Sequence, residues 1–581
     1  MQRFAVWAPE CARVRLWLDN GEGAREHAMA LDRHDWWHAE VADVAPEADY
    51  AFLLDDDPAP LPDPRSLRQP HGVHGPSRRY DHTRFDWTDD HWTGKPLPGS
   101  ILYELHIGTF TREGTFDAAI DHLDHLVGLG VDLVEVMPVN AFDGHHGWGY
   151  DGVLWGAVHE PYGGPDGFKR FVDACHAHGL GVVLDVVYNH LGPSGAYLPR
   201  FGPYFRGESA WGPALNLDGP GSDEVRRLII DNALGWLRDY HLDGLRLDAV
   251  HALTDRRATH ILTELSAEVD ALATGLGRPL SLIAESDRND PTTVTAREAG
   301  GNGMTAQWSD DLHHALHTAL THEKQGYYAD FAVPEALART LRRVFFHDGT
   351  WSSHRGRTHG APVDTHRLPG SRFLAYLQTH DQIGNRARGD RISQSTTPGL
   401  LACGAAIVLC SPFTPMLFMG EEWAATTPWR FFASFSDPEL AESVRAGRRR
   451  EFASHGWGEI DLPDPLDPRT REASVLDWSE PDHEPHRRML ETYRALIALR
   501  RAYPELADPR LARFTVDAGA DGRVLTLYRG ELRVVCNLRA EPAGEILDRP
   551  VRRVLLASSG VEVDDATDVV LPAESFAILA T

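Results

Sequence analysis

The chain has 581 residues, of which 42% are hydrophobic and 24% charged, and its formal net charge is -28. This acidic balance argues against nucleic acid and against an anionic membrane surface as partners, because both attract basic protein surfaces. The length predicts two to four domains.

The N-terminus, Met1-Gln-Arg-Phe-Ala-Val-Trp-Ala-Pro9, lacks the hydrophobic stretch of a signal peptide. The chain also contains no apolar run long enough to span a membrane. Its five cysteines are scattered and include no Cys-x-x-Cys pair, which excludes a zinc site of that type. We therefore expect a cytoplasmic protein with no membrane association.

Strand-like alternation of apolar and polar residues marks both ends of the chain. Residues 1–88 contain short alternating runs separated by turn residues, which predicts an N-terminal immunoglobulin-like β-sandwich. Proline-rich spacers follow the last of these runs, from Pro58 to Pro70 and from Pro96 to Pro98, and suit a linker. Alternating runs return in residues 505–581 and predict a C-terminal antiparallel β-domain.

Residues 89–504 show a different pattern, in which strands alternate with amphipathic helical stretches. Eight strand candidates and their connecting segments predict a (β/α)8 TIM barrel with insertions. In that fold the carboxyl ends of the strands meet at one mouth, where the active site lies. The candidates are Ile101–His106, Leu133–Met137, Val182–Val187, Gly244–Asp248, Leu280–Glu285, Met304–Trp308, Leu374–Thr379 and Met416–Gly420.

Three of these strands run into an acid, namely Asp248, Glu285 and Asp381. A buried core gains nothing from carboxylates at strand ends, so the pattern indicates a site. Glycoside cleavage needs two carboxyl groups, one to attack the sugar carbon and one to protonate the departing oxygen. Arg246 lies two residues before Asp248 and so on the same face of the strand, where it favours the charged carboxylate.

Four short segments together resemble the signatures of the α-amylase superfamily, glycoside hydrolase family 13. They are Asp185-Val-Val-Tyr-Asn-His190, the Arg246 to His251 stretch, Glu285, and His380-Asp381, in the expected order on the expected strands. The resemblance implies that Asp248 is the nucleophile, Glu285 the general acid and base, and Asp381 the residue that stabilises the distorted sugar. No cofactor and no metal ion are expected.

The resemblance and the neighbouring polar and aromatic residues also predict a set of sugar-binding side chains. Tyr150 is similar to the family tyrosine that stacks on the cleaved sugar, and acids and histidines after the sixth strand are costly to bury, so they are expected to face the cleft. The full set is Tyr150, His190, Trp211, Arg246, His251, Asp310, Asp311, His313, His314, His380, Gln382, Asn385 and Arg386.

The segments Pro415–Trp423 and Thr427–Phe432 resemble those of the trehalose-releasing members of the family. That likeness implies a retaining hydrolase that cuts the α-1,4 bond next to the terminal trehalose of maltooligosyl trehalose, releasing trehalose and a maltooligosaccharide. It also implies functional pairing with a maltooligosyl trehalose synthase. A glycogen branching enzyme, which shares this domain order, is the alternative. From another class, a carbohydrate-binding protein with an inactive barrel is disfavoured by the intact acids.

Overall fold

In the computed structural model, which describes residues 1–454, 462–564 and 566–581, the N-terminal strands form two antiparallel sheets. Burial alternates along the second strand, where Val14, Leu16 and Leu18 are buried and the residues between them are half-buried. The sheets have the strand orders β1-β5-β4 and β3-β2-β6-β7. The strands are β1 (Gln2–Trp7), β2 (Val14–Asp19), β3 (Ala24–Ala28), β4 (Ala30–Leu31), β5 (Trp36–Val41), β6 (Asp49–Leu54) and β7 (Ser77–Arg78).

Eight parallel strands close into a barrel in the order β8-β9-β12-β15-β16-β17-β20-β21, with β21 pairing back to β8. Three antiparallel hairpins, β10–β11, β13–β14 and β18–β19, project from its loops. The strands in chain order are β8 (Leu102–Leu105), β9 (Leu133–Val136), β10 (Asn140–Ala141), β11 (Leu154–Val158), β12 (Gly181–Val186), β13 (Phe205–Ser209), β14 (Gly212–Leu215), β15 (Gly244–Leu247), β16 (Ser281–Ala284), β17 (Ala306–Trp308), β18 (Thr350–Ser352), β19 (Arg357–His359), β20 (Phe373–Ala375) and β21 (Thr414–Phe418).

The helices cover the barrel with apolar faces, as α6 shows by burying Val225, Ile229 and Trp236. Among the described residues, no helix is long and apolar enough to cross a membrane. The α-helices are α1 (Ile107–Phe110), α2 (Phe116–Ile120), α3 (Leu123–Leu129), α4 (Gly164–Ala177), α5 (Leu198–Phe201), α6 (Ser222–Asp239), α7 (Ile261–Leu276), α8 (Asp310–Thr321), α9 (Ala336–Arg343), α10 (His380–Gly384), α11 (Pro398–Cys410), α12 (Pro438–Ser454), α13 (Pro468–Glu472), α14 (His486–Ala502) and α15 (Pro504–Ala507).

The C-terminal strands form a five-stranded antiparallel sheet, β22-β23-β24-β29-β26, and a three-stranded one, β25-β28-β27. The predicted fold class is therefore confirmed, while the domain boundaries after residues 88 and 504 stay predictions. The strands are β22 (Thr515–Ala518), β23 (Val524–Arg529), β24 (Leu532–Asn537), β25 (Ala543–Ile546), β26 (Arg553–Ala557), β27 (Glu562–Asp564), β28 (Asp568–Leu571) and β29 (Ser575–Ala580).

The seventh barrel strand is shorter than its sequence suggests. We expected it to run to Thr379 and to place Asp381 at a strand end, but β20 ends at Ala375 and Asp381 lies in the first turn of α10. Thr379 caps that helix, since its hydroxyl accepts a hydrogen bond from the backbone N–H of Asp381, and Gln382 completes a capping box. This cap favours a helical turn at these residues instead of a longer β20 strand.

A lysine fixes the segment between the N-terminal sheets and the barrel. The Lys169 ammonium on α4 lies 5.5–5.7 Å from the ring centroids of Tyr80, Phe85, Trp87 and Tyr240. It also donates a 2.9 Å hydrogen bond to the carbonyl of His82. These cation–π contacts hold residues 80–87 against the barrel wall.

Gly149 allows a close approach of two backbone segments beside Tyr150. Its φ is +101°, and a Cβ there would lie 2.2 Å from the carbonyl oxygen of Pro138. We expect Gly149→Ala to lower the free energy of unfolding by about 3 kcal/mol, because the left-handed strain and the backbone clash add. Gly179→Ala is the matched control, since Gly179 has φ +74° and no atom within 4 Å of such a Cβ.

The control should therefore lose only about 1 kcal/mol from backbone strain. Differential scanning calorimetry of both variants at one scan rate measures the difference in melting temperature. Equal losses in the two variants would show that Pro138 moves aside without cost.

Candidate active site

One buried arginine contacts three carboxyl groups at the barrel mouth. Arg246, on β15 and fully buried, places Nη1 2.8 Å from an Asp185 oxygen and 2.9 Å from an Asp248 oxygen. Its Nη2 lies 2.8 Å from a Glu285 oxygen. The guanidinium carbon stacks 4.1 Å from the ring centroid of Trp308. The ends of β12, β15 and β16 are thereby held around one positive charge.

Asp248, the first residue after β15, has the environment of an ionised carboxylate. Besides Arg246, the side-chain amide of Asn189 donates a 2.5 Å hydrogen bond to it. Burial raises the pKa of Asp248, but the charge of Arg246 and the Asn189 hydrogen bond outweigh burial, so the pKa lies below its ordinary value. Asp248 is therefore negatively charged at neutral pH and can act as a nucleophile.

Glu285, the first residue after β16, has the opposite environment. Burial raises its pKa well above the ordinary value; Arg246 opposes this, while the charges of Asp248 and Asp381 add to it. The backbone N–H of Ala249 donates a 2.8 Å hydrogen bond to one of its oxygens. A carboxyl group held protonated in this way can donate a proton.

Asp381 is the most exposed of the three acids, with 36% of its side chain accessible. The Nε2 atom of His380 lies 3.5 Å from it, and Nδ1 of the same ring bonds to Glu104 on β8. Burial lowers the pKa of His380, but the two carboxylates raise it to about 9. Asp381 thus borders a charged imidazolium at neutral pH.

Aromatic rings form one wall of a cavity of about 530 Å³ above these acids. The Tyr150 ring stacks on His380 at 5.1 Å, and its hydroxyl donates a 2.6 Å hydrogen bond to Asp185. His190 bonds the carbonyl of Tyr150 at 3.1 Å. Trp211, 45% exposed at the turn of the β13–β14 hairpin, lies parallel to His190. This wall offers flat apolar faces of the kind that bind sugar rings.

The rest of the cavity lining combines predicted and unpredicted residues. His251, Asp310 and His314 line the cavity as expected. They are joined by Tyr327, and by His354 and Arg355 at the turn of the β18–β19 hairpin. His314, Tyr327, His354 and Arg355 all belong to the segment between β17 and β20.

Three predicted sugar-binding residues do not reach the cavity, because protein groups already occupy their side chains. Asp311 accepts hydrogen bonds from the backbone N–H groups of Phe346 and His347 at 2.8 and 2.9 Å. His313 is buried between the carbonyl of Leu377 and the hydroxyl of Tyr328. Arg386 forms a bidentate pair with Glu323, both distances being 2.8 Å.

Gln382 and Asn385 do line the cavity, whereas Arg246 acts from below its floor. Gln382 uses its side-chain oxygen for the α10 cap, where the backbone N–H and the hydroxyl of Thr379 both donate to it. Its amide nitrogen is the group that a ligand could meet. Among the described residues, no group of three or more Asp, Glu, His or Cys side chains could hold a metal ion.

Sequence reasoning missed several residues of the site. Glu104 lies in the strand candidate Ile101–His106, and Asn189 lies in the segment Asp185–His190. Glu104 could have been found from the sequence, because a charged residue within a buried strand is unusual. The others are lining residues with no local signal. They are Trp148, Asp151, Tyr327, His354, Arg355 and Phe431.

Family comparisons match three parts of the chain. Residues 2–62 match the family described as Carbohydrate-binding module 48 (Isoamylase N-terminal domain), and residues 80–201 match Alpha amylase, catalytic domain. Residues 509–578 match a domain of unknown function. The predicted α-amylase resemblance is therefore confirmed.

Individual proteins extend the match to the full length. A malto-oligosyltrehalose trehalohydrolase of Arthrobacter ramosus is 58% identical over 94% of each chain. A 1,4-alpha-glucan branching enzyme of Xanthomonas oryzae is 28% identical over 74% of this chain and 60% of its own. A solved structure from Salmonella typhimurium, described as an alpha amylase, is 38% identical with a TM-score of 0.91 and covers 100% of this chain and 97% of its own. The chain belongs to the malto-oligosyltrehalose trehalohydrolase family within the α-amylase superfamily.

Proposed function

We propose that this chain is a retaining α-glucoside hydrolase that cleaves the α-1,4 bond next to the terminal trehalose of maltooligosyl trehalose. Its products are trehalose and a maltooligosaccharide. A maltooligosyl trehalose synthase would supply the substrate, and both enzymes would act in the cytoplasm. The observation that carries the proposal is the shared guanidinium of Arg246, which holds an ionised Asp248 and a protonated Glu285 in one cleft.

In the first step the Asp248 carboxylate attacks the anomeric carbon of the maltooligosyl unit. The bond from that carbon to the trehalose oxygen breaks, and Glu285 gives its proton to this oxygen. Because both carboxyl groups contact one guanidinium, they lie close together, as a covalent intermediate requires and unlike the wider spacing of inverting enzymes. Trehalose then leaves with an intact hydroxyl.

In the second step water attacks the anomeric carbon of the intermediate, and the bond from that carbon to the Asp248 oxygen breaks. The Glu285 carboxylate, now ionised, removes the proton from that water, which restores the starting protonation state. Two successive inversions retain the α configuration. Asp381 and the His380 imidazolium lie beside this centre and would bind the hydroxyls of the distorted sugar.

The position of the proton donor suggests separate roles for the two sides of the cleft. The proton must pass from Glu285 to the leaving oxygen, so trehalose lies on the Glu285 side of the cleft. Arg355 belongs to that side, because it forms a 2.9 Å ion pair with Asp287, two residues after Glu285. The wall with Tyr150 and His380 would then hold the maltooligosyl unit.

An assay with two substrates tests the proposed function. Maltotriosyl trehalose and amylose are incubated separately with the protein, and the products are separated by chromatography. We expect free trehalose and maltotriose from the first substrate, with Asp248→Ala slower by several orders of magnitude. New α-1,6 linkages from amylose without trehalose release would instead indicate a branching enzyme, and no product from either an inactive barrel.

Removing the acid at Glu285 should change the pH dependence in a defined way. In the wild type, kcat/KM should fall as pH rises through the raised pKa of Glu285, because the acid loses its proton. With an aryl α-maltoside, whose leaving group needs no protonation, Glu285→Gln should lose this fall. A fall near pH 9 should remain, since His380 loses its proton there.

The measurement is the rate of the aryl burst against pH, with azide added to trap the intermediate. An α-glycosyl azide is the expected product, because azide replaces the water of the second step. Equal losses of activity for aryl and natural leaving groups would show that Glu285 is not the acid.

Two adjacent acids, Asp310 and Asp311, have different surroundings, which allows the role of Asp310 in substrate recognition to be tested. Asp310 faces the cavity and accepts a 2.7 Å hydrogen bond from the Tyr376 hydroxyl, whereas the Asp311 side chain is occupied by backbone N–H groups. We expect Asp310→Asn to lower the ratio of kcat/KM for maltotriosyl trehalose over maltopentaose, because a site that pairs substrate hydroxyls discriminates by those pairs.

Asp311→Asn is the matched control. It should leave the ratio unchanged, because the Asp311 side chain does not line the cavity and an asparagine oxygen can still accept the hydrogen bonds from Phe346 and His347. The reverse outcome, with the ratio altered only by Asp311→Asn, would place substrate recognition outside the cavity wall.

A further inference from the structure

Glu104 connects the interior of the barrel to the catalytic cavity through His380. It lies on β8, is 1% exposed, and directs both carboxyl oxygens to that histidine. One oxygen bonds Nδ1 of the imidazole ring, and the other accepts a 3.2 Å hydrogen bond from the backbone N–H of His380. One side chain thereby fixes both the start of α10 and the ring that projects from it.

The fixed ring turns its other nitrogen toward the cavity. Nε2 of His380 lies 3.5 Å from an oxygen of Asp381, and both residues line the catalytic cavity. The Tyr150 ring stacks on the imidazole at 5.1 Å, and the Trp148 ring meets it edge-on at 5.7 Å. A half-turn of the ring would place a carbon atom against Glu104, so the bond to Glu104 selects the orientation in which Nε2 faces Asp381.

These contacts determine which protons the ring must carry. A carboxylate can only accept a hydrogen bond, so Nδ1 of His380 holds a proton toward Glu104. In a neutral imidazole Nε2 would then be an acceptor facing the carboxylate of Asp381. Only the imidazolium lets Nε2 donate a hydrogen bond, either to Asp381 or to a sugar hydroxyl bound beside it.

Buried and exposed charges both act on the protonation of His380. Burial lowers the pKa of the ring, but the carboxylates of Asp381 and Glu104 raise it to about 9 against the opposing charge of Arg246. Asp381 is 36% exposed and its charge is partly screened by water, whereas Glu104 is buried and bonds the ring directly. Solvent and salt therefore weaken the effect of Glu104 least.

The remaining titratable groups that face His380 contribute less charge. Burial lowers the pKa of His106 to about 3, so this ring is neutral at pH 7. Burial also raises the pKa values of Tyr150 and Glu135 well above their ordinary range, which leaves both groups protonated. Burial raises the pKa of Asp185 to about 6, and this carboxylate is paired with Arg246 at 2.8 Å.

We propose that Glu104 is a positioning residue for the reaction, which fixes the His380 ring with its Nε2–H turned to the sugar that is cleaved. This inference rests on the proposed function, in which Asp381 and His380 bind hydroxyls of the distorted sugar. A donor that is already oriented needs no reorganisation when the transition state forms. Glu104 does not line the cavity and acts only through His380.

Two matched substitutions test the role of Glu104. Glu104→Gln removes the negative charge but keeps the length of the side chain and an oxygen that can accept from Nδ1–H. Glu135→Gln is the control, because Glu135 is the register partner of Glu104 on β9 and is also 1% exposed. Burial and the charge of Glu104 keep Glu135 protonated, so this second substitution removes no charge.

The first measurement needs no substrate. The imidazole signals of His380 are followed by NMR against pH and are assigned by their loss in His380→Asn. We expect a midpoint near pH 9 in the wild type and in Glu135→Gln. In Glu104→Gln the midpoint should lie about one to three pH units lower, because an adjacent opposite charge has been removed while burial remains.

The second measurement follows the reaction in a Glu285→Gln background with an aryl α-maltoside, where the titration of Glu285 is absent. The burst rate of this background should fall near pH 9, where His380 loses its proton. Adding Glu104→Gln should move this fall to lower pH by the same amount as the NMR midpoint, and adding Glu135→Gln should leave it in place. A purely structural role of Glu104 would lower the rate at every pH without moving the midpoint.

A midpoint that Glu104→Gln leaves unchanged in either measurement overturns the proposal. If Glu104→Gln does not fold, the wild-type titration decides, because a His380 midpoint at or below the ordinary value of about 6.5 overturns the proposal and one near pH 9 supports it. Trehalose release from maltotriosyl trehalose by Glu135→Gln reports the proposed function separately. A shifted NMR midpoint without trehalose release would contradict that function and leave the contact between Glu104 and His380 established.

Discussion

The charge of Arg246 is the constraint on which the catalytic centre depends. A guanidinium with no exposed surface must be compensated, since an unpaired buried charge costs several kcal/mol. The carboxylates of Asp185 and Asp248 supply that compensation, and both are costly to bury without the arginine. The carboxyl group of Glu285, from the next strand, lies against the same guanidinium. The four side chains therefore form one electrostatic unit at the mouth of the barrel.

Asp248 and Glu285, the two carboxyl groups proposed to react, have different surroundings within this unit. Asp248 receives a guanidinium nitrogen and the amide of Asn189, which favour its charged form. Glu285 receives one backbone N–H and faces the negative charges of Asp248 and Asp381, which favour its neutral form. Two carboxyl groups beside one arginine thus acquire opposite protonation states at the same pH.

Local sequence patterns were enough to locate the eight barrel strands and to place Asp248 and Glu285 at strand ends, because alternation and strand ends are local properties. They did not predict that Asp381 lies in a helical turn, because that turn depends on the Thr379 cap. Nor could they separate Asp310 from Asp311, since neighbouring positions on a helix point about 100° apart and only tertiary packing decides which faces the cleft. Arg355 is distant in sequence, and only folding brings its hairpin to the cavity.

The proposed catalytic acids and the residues at the β18–β19 hairpin come from different parts of the chain. The three acids of the proposed catalytic centre follow β15, β16 and β20, while Tyr327, His354 and Arg355 come from one continuous insertion between β17 and β20. An insertion of this kind can be lengthened, shortened or exchanged without altering any barrel strand. The same chemical core can therefore be fitted to a different departing sugar by replacing a single stretch of sequence.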